Sequence, residues 1–295
     1  MTSLSPHASS ATRSVSEKAA DTRTISYKAL KRSRTTIEDF VKSYFPLHGL
    51  DPAQDVFKYL DILVFVEATI YQMDEDNEKL CAEGEQSDQH VLDGEQAILG
   101  VLQNKGLLEQ RLVDELAKGK QYWDDERRLC KAMLSHSQVQ TSSVTFDLAD
   151  VHKTSEAKSF DYRVLNLLLY KLTRRPYDDV LLGFLFVDEH LVDIGDDLVD
   201  YEDDVIANSF NIYRAYIHLY GKEAQMRLIQ RIVDFEQQHA SMLSQLPQQT
   251  QERVKLRQHE AASVAGSEKW VFPCAILDEG KYRADMGLAS SSESE

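Results

Sequence analysis

The sequence DEHLVDIGDDLVDYEDD, residues Asp188 to Asp204, carries nine carboxylates in seventeen positions and no lysine or arginine. It follows the apolar run VLLGFLFV (180–187) without an intervening proline, which predicts one continuous helix. On that helix Asp196, Asp200 and Asp204 recur every four residues and therefore lie along one face. Like charges at this spacing destabilise a helix by roughly 0.2–0.5 kcal/mol per pair, so this face needs a counter-charge.

The sequence favours a bound cation as that counter-charge, because the segment has no basic residue of its own. Carboxylates without neighbouring cysteine or paired histidine suit a hard cation, Mg²⁺ or Mn²⁺, better than zinc. Mg²⁺ held by a few carboxylates shares its remaining positions with water and substrate phosphates. The segment therefore predicts a diphosphate site, with a solvated acidic helix face as the alternative. The apolar residues between the acids indicate that one side of the helix is buried; they are Leu191, Val192, Ile194, Leu198 and Val199.

A second acidic set lies near the end of another long predicted helix. Asp51-Pro52 marks its start, with aspartate as the N-cap and proline at the first helical position. The segment MDEDNE (73–78) near its end places Asp74 and Glu78 at i and i+4. One acidic patch at a helix end is common, but two long apolar helices that each carry such a set favour a shared site.

At these two segments the chain resembles the class I terpenoid synthases and their prenyltransferase relatives, which are all-helical bundles with two acid-rich motifs on facing helices. DEDNE (74–78) resembles the D-D-x-x-D/E motif, and DDLVDYEDD (196–204) is similar to the N/D-D-x-x-S/T-x-x-x-E motif of cyclases. The resemblance covers about residues 25–283. The neighbourhoods VEATIYQMDEDNE and HLVDIGDDLVDYEDDV look closest to divergent fungal sesquiterpene cyclases of the humulene-synthase type, which make the terpene half of tropolone meroterpenoids.

The resemblance implies an all-α, single-domain bundle that ionises farnesyl diphosphate with three Mg²⁺ ions, or Mn²⁺, and closes a humulene-type hydrocarbon. The residues implied to be catalytic and to hold metal are Asp74, Glu78, Asp196, Asp200 and Asp204. The basic candidates for binding diphosphate are Arg163, Arg174, Arg175, Arg214, Lys269 and Arg283. The candidates for the aromatic wall of a dry pocket include Tyr71, Phe184 and Trp270.

Two other functions stay open on the sequence. DDLVD (196–200) is also the D-D-x-x-D of prenyl-chain synthases, which favours a prenyltransferase that elongates or transfers a chain. Elongating enzymes follow the first motif with Arg-Arg-Gly, whereas NEKLCAEG (77–84) follows here and counts against them. A non-catalytic helical interaction protein that retains the acidic helices is the third alternative.

Composition agrees with one large helical domain of 295 residues. A net charge of −16 argues against nucleic acid or an anionic membrane surface as a partner. We expect a cytoplasmic protein, since no apolar run suggests a membrane span or signal peptide and the three cysteines are unpatterned. Residues 1–24 are predicted to be a disordered leader and 284–295 a disordered acidic tail, while 137–157 is predicted to be a long connection, either a lid or a plain loop. The oligomeric state stays open, a homodimer included.

Overall fold

The structure is a computed structural model that describes residues 25–83, 89–137, 145–262 and 270–292. Over these ranges the chain is all-helical and contains no strand, which confirms the all-α expectation. The predicted leader (1–24) and Lys269 lie outside the described residues. The helices are α1 (Tyr27–Tyr44), α2 (Pro52–Glu83), α3 (Gln89–Asn104), α4 (Gln110–Ser137), α5 (Leu148–Ala157), α6 (Phe160–Thr173), α7 (Asp179–Val199), α8 (Tyr201–Ala207), α9 (Ile212–Tyr220), α10 (Ala224–Leu243), α11 (Gln248–Ala262) and α12 (Glu279–Ser292).

Helix α2 begins where the sequence predicts. The Asp51 carboxylate accepts hydrogen bonds from the backbone N–H of Ala53 at 2.9 Å and of Gln54 at 3.3 Å, and so caps the helix. Its thirty-two residues extend about 48 Å, which carries Asp74 to the end far from the cap. Phe57 is 82% exposed, so the buried face of α2 begins only after its first turns.

One hydrophobic core cluster extends from Ile37 in α1 to Val254 in α11. It includes buried residues of α2, α4, α6 and α7. Helices α4 and α6 approach closely because Gly119 has no side chain. A Cβ at Gly119 would lie 2.3 Å from Cε2 of Phe160, the first residue of α6. This close approach packs the first residue of α6 directly against α4.

The prediction of one continuous helix through Asp204 is wrong at Asp200, where φ is −89° and ψ is 4° and the chain bends from α7 into α8. The Asn211 side-chain amide donates a 2.5 Å hydrogen bond to the carbonyl of Asp197, and a side chain inserted into the helical ladder in this way bends a helix. The backbone bonds from Asp200 N–H to the Asp196 carbonyl and from Asp204 N–H to the Asp200 carbonyl remain, each at 2.8 Å.

Two further predictions about local structure need correction. The stretch 137–157 contains helix α5, which opens on a capping box formed by Asp147 and Asp150. Its residues 138–144 lie outside the described part of the chain. Helix α12 reaches Ser292 and so extends into the 284–295 stretch for which the sequence predicts disorder. None of the helices in the described ranges is long and apolar enough to cross a membrane.

Candidate functional site

The first acidic segment lies on α2 and is paired with basic side chains of α1. One Asp74 oxygen accepts from the Trp123 indole N–H at 3.2 Å, and the other lies 3.0 Å from the Arg32 guanidinium. Glu78 is more exposed and pairs with Arg32 at 3.5 Å and with Lys28 at 3.3 Å. Burial raises the pKa of Asp74, and the charge of Glu78 adds to this, while Arg32 lowers it. These basic partners were missed at the sequence level, because they precede the motif by more than forty residues.

The second acidic segment offers carboxylates that are largely unpaired. Asp196 and Asp200 are exposed, and their carboxylates make no hydrogen bond or ion pair with any residue that the structure describes. Asp204 is half-buried and accepts a 2.9 Å hydrogen bond from the Asn211 amide. Burial raises the pKa of Asp204 to about 6, and the charge of Asp197 contributes. Partial burial and then the charges of Asp197 and Asp200 raise the pKa of Asp196.

Lys158, in the connection between α5 and α6, supplies the counter-charge that the sequence of the acidic helix lacks. Its ammonium pairs with the buried carboxylate of Asp197, a residue thirty-nine positions away. Burial acts to lower the pKa of Lys158, but the carboxylates of Asp197 and Asp193 raise it, so the side chain stays protonated. Ser159 directly precedes α6 but does not cap it with its side chain, because its hydroxyl donates to Asp193 at 2.5 Å.

Glu126 of α4 connects the two acidic segments electrostatically. It lies near enough to both Asp74 and Lys158 for their charges to act on its pKa, which burial raises to about 8. One of its oxygens accepts from the Asn77 amide at 2.9 Å. Asp74, Glu126, Lys158 and Asp197 therefore form a layer of ionisable side chains from α2 to α7, called the ionisable layer below.

The described interior also contains further buried carboxyl groups. Glu67 is fully buried, and neither of its oxygens accepts a hydrogen bond from an N–H or hydroxyl group in the described ranges. It faces Asp161 of α6, and burial raises the pKa of both residues. The charge of Asp161 adds to the effect of burial on Glu67, so the environment of this pair favours protonated carboxyls. Glu189 of α7 is buried beside them and also has a raised pKa, again because of burial.

Of the basic candidates for binding diphosphate that the structure describes, three are held by protein partners and two lie at the opposite end of α7 from Asp196. Arg163 pairs with Glu115 at 2.5 Å and donates to the Ala157 carbonyl at 2.9 Å. Arg214 is fully buried and, like Arg283, bonds Glu279 of α12.

Arg174 and Arg175 follow α6, next to the start of α7. Because α7 rises 1.5 Å per residue, they lie about 25 Å from Asp196. A cavity of about 490 Å³ lies at that end, with His48 and Arg175 among its lining residues.

The three aromatic candidates make different contacts. The Tyr71 hydroxyl lies 2.7 Å from that of Thr36 beneath α1. Phe184 is fully buried, with its ring centroid 4.9 Å from that of His239. Trp270 lies beside the second acidic segment, since a Cβ at Gly195 would stand 4.0 Å from the indole ring.

The donor chemistry of the acidic segments fits Mg²⁺, because every candidate ligand is a carboxylate oxygen. These carboxylates are not close enough together in this structure to form a metal site. Within the described residues, no group of three or more His, Cys, Asp or Glu side chains could hold a metal ion. Arg32 and Lys28 pair with the first segment, and the chain bends at Asp200 in the second. Metal binding at both segments therefore requires the basic side chains of α1 to move away.

The raised carboxyl pKa values predict that the metal-free protein loses stability as the pH rises from about 6.5 to 8. Burial raises the pKa of Glu126 to about 8 and that of Asp193 to about 7. In this window the folded chain holds protons that the unfolded chain, with carboxyl pKa values near 4, has already released. Unfolding therefore releases protons, and the free energy of unfolding falls by at most about 1.4 kcal/mol per pH unit and per group.

The buried histidines make the free energy of unfolding rise with pH, but only at lower pH. Burial lowers the pKa of His48 to about 4 and of His190 to about 3, so below about pH 6.5 these side chains bind protons on unfolding.

We expect calorimetric Tm values to fall between pH 6.5 and 8.5, and we expect Glu126→Gln to make that fall smaller. Glu223→Gln, at an exposed carboxylate, should follow the wild type. A wild-type Tm that rises with pH would contradict the assignment.

No protein-family model, curated protein or solved structure matches the chain.

Proposed function

We propose that the chain is a Mg²⁺-dependent class I sesquiterpene cyclase that ionises farnesyl diphosphate and closes a humulene-type hydrocarbon with release of diphosphate. The resemblance of DEDNE (74–78) and DDLVDYEDD (196–204) to the family's two motifs supports this. The observation that carries it is the ionisable layer of Asp74, Glu126, Lys158 and Asp197, because it supports a common site for the two acidic helices. The two segments lie about 120 residues apart in the sequence.

The residues proposed to hold metal divide between the two helices. Asp196 and Asp200 offer exposed, unpaired carboxylates within the described structure, and Asp204 adds a third on the same segment. Asp74 and Glu78 would join them from α2 once Arg32 and Lys28 have left. Bound Mg²⁺ would neutralise the diphosphate as the allylic C–O bond ionises.

Two of the chain's own side chains can assist the metal ions: Lys158 as a permanent positive charge and Trp270 as a barrier to water. Lys158 stays protonated between Asp193 and Asp197, so it can bind a diphosphate oxygen without a change of protonation. Trp270 packs beside Gly195, next to Asp196, where its indole face can exclude water and stabilise positive charge. Its indole N–H donates to Glu236 at 3.1 Å, which holds the ring in place.

A non-catalytic helical interaction protein is the second candidate. The ion pairs of Arg32 and Lys28 with the first acidic segment favour it, because they satisfy that segment without metal. A prenyltransferase is the third.

Product analysis separates these functions. The purified full chain is incubated with C10, C15 and C20 allylic diphosphates and Mg²⁺, with and without isopentenyl diphosphate, and with EDTA as the control. We expect a C15 hydrocarbon and free diphosphate from farnesyl diphosphate alone. A longer diphosphate made with isopentenyl diphosphate would identify a prenyltransferase, and farnesol as the main product would contradict a water-free site. No turnover of any substrate would favour the interaction protein.

A further inference from the structure

Helix α1 is fastened over the first acidic segment by polar contacts at its N-terminal end. The Ser26 backbone N–H donates to the Gln72 side-chain carbonyl at 2.7 Å, and the Ser26 hydroxyl donates to Glu75 at 2.7 Å. Lys28 and Arg32 reach Glu78 and Asp74 from the next two turns. All of these partners belong to the last twelve residues of α2.

The Arg32 guanidinium stands where a cation shared by the two carboxylates would stand. One guanidinium nitrogen lies 3.0 Å from Asp74 and another 3.5 Å from Glu78. The Arg32 guanidinium carbon also lies 4.3 Å from the ring centroid of Tyr71, and this cation–π contact helps to hold it in position. Beside it, the second oxygen of the buried Glu75 carboxylate accepts no hydrogen bond from any described residue. The segment therefore retains acceptor capacity that α1 does not use.

The two halves of α1 are held by different forces. Its C-terminal half buries Ile37, Phe40 and Val41 in the core, whereas the N-terminal half buries only Ala29 among its apolar residues. Tyr27 is 81% exposed. The ion pairs of the N-terminal half are a quarter to two-thirds exposed, and pairs of this kind are weak. This half can therefore lift while the rest of the helix stays packed.

We propose that residues 26–35 form a lid on the first acidic segment, and that Arg32 and a divalent cation compete for Asp74 and Glu78. The identity of the cation rests on the proposed function. A ligand shifts such an equilibrium only by its preference for one state, and Mg²⁺ prefers the open state because the closed state already places a positive charge between the carboxylates. Binding of Mg²⁺ and release of the lid are thus coupled, and each promotes the other.

The test measures Mg²⁺ binding without any substrate. Isothermal titration of the full chain with MgCl₂ compares the wild type with Arg32→Gln and Arg32→Ala. Arg34→Ala is the matched control, because Arg34 is exposed on the same helix and its ion pair among the described residues, with Glu38, lies within that helix. We expect Arg32 variants to bind Mg²⁺ about five- to tenfold more tightly, as expected from the loss of two weak ion pairs, and Arg34→Ala to match the wild type. Asp74→Asn should remove the difference.

Hydrogen exchange of the backbone amides of α1 gives the second readout. In the wild type, MgCl₂ should accelerate exchange at residues 29–33 and leave 37–44 protected. Equal affinity of the wild type and both Arg32 variants, exchange of α1 that ignores Mg²⁺, or no Mg²⁺ binding by any variant would each overturn the lid. If lid and metal behave as expected but no allylic diphosphate is turned over, the lid stands and the proposed cyclase fails.

Discussion

Replacing both Asp196 and Asp200 by asparagine should lower turnover of farnesyl diphosphate at least about 100-fold, a loss typical of removing one group that stabilises a transition-state charge. These two carboxylates are exposed and unpaired within the described structure, so their removal breaks no protein contact. It relieves repulsion along the acidic helix, so the metal-free protein should be as stable as the wild type or more stable by a few tenths of a kcal/mol. Steady-state kinetics and thermal unfolding measure the two effects.

The control for this pair removes equal charge from the same acidic segment. Glu202→Gln with Asp203→Asn also removes two negative charges, at exposed residues that do not belong to the proposed ligand set. It should leave turnover within a few-fold of the wild type. If both double variants lose activity equally, overall charge rather than metal binding by Asp196 and Asp200 explains the loss. If neither does, the ligand assignment on α7 is wrong.

The sequence revealed those parts of the structure that depend on local signals. Asp51-Pro52 marks the start of α2 because the capping and the missing N–H of proline are properties of adjacent residues. The capping box of Asp147 and Asp150 was equally local, as the letters D-L-A-D, and was overlooked within a polar stretch.

What the sequence could not reveal depends on contacts between distant residues. The bend at Asp200 follows from the side chain of Asn211, which precedes α9. Its amide donates a hydrogen bond to the carbonyl of Asp197 in α7. Lys158 and Arg32 neutralise acidic segments thirty-nine and forty-two residues away, so the absence of a local counter-charge did not mean the absence of any. A charge pattern along one helix predicts the need for a cation, but not whether the protein or a metal ion supplies it.

Arg214 is another residue whose partner the sequence could not reveal, and replacing it should have the second large effect, on stability. Arg214 is fully buried and holds Glu279 with two hydrogen bonds of 2.8 and 2.9 Å, while His218 and Arg283 bond the same carboxylate. Burial acts to raise the pKa of Glu279, but the bonds from His218 and Arg214 lower it to about 2. This network fastens α12 to α9 and gives Arg214 a structural role.

Arg214→Met should therefore destabilise the protein by about 3–5 kcal/mol, since it leaves Glu279 buried without its main partner. Arg214→Met with Glu279→Leu should recover much of that loss, because the unpaired charge is then gone as well. Arg227→Ala, which breaks an exposed ion pair with Glu223, should cost less than about 0.5 kcal/mol. Urea unfolding of the four proteins measures these free energies. A small loss for Arg214→Met together with abolished diphosphate binding would instead make Arg214 a substrate ligand, as the family resemblance implied, and would mean that the pairing with Glu279 opens when substrate arrives.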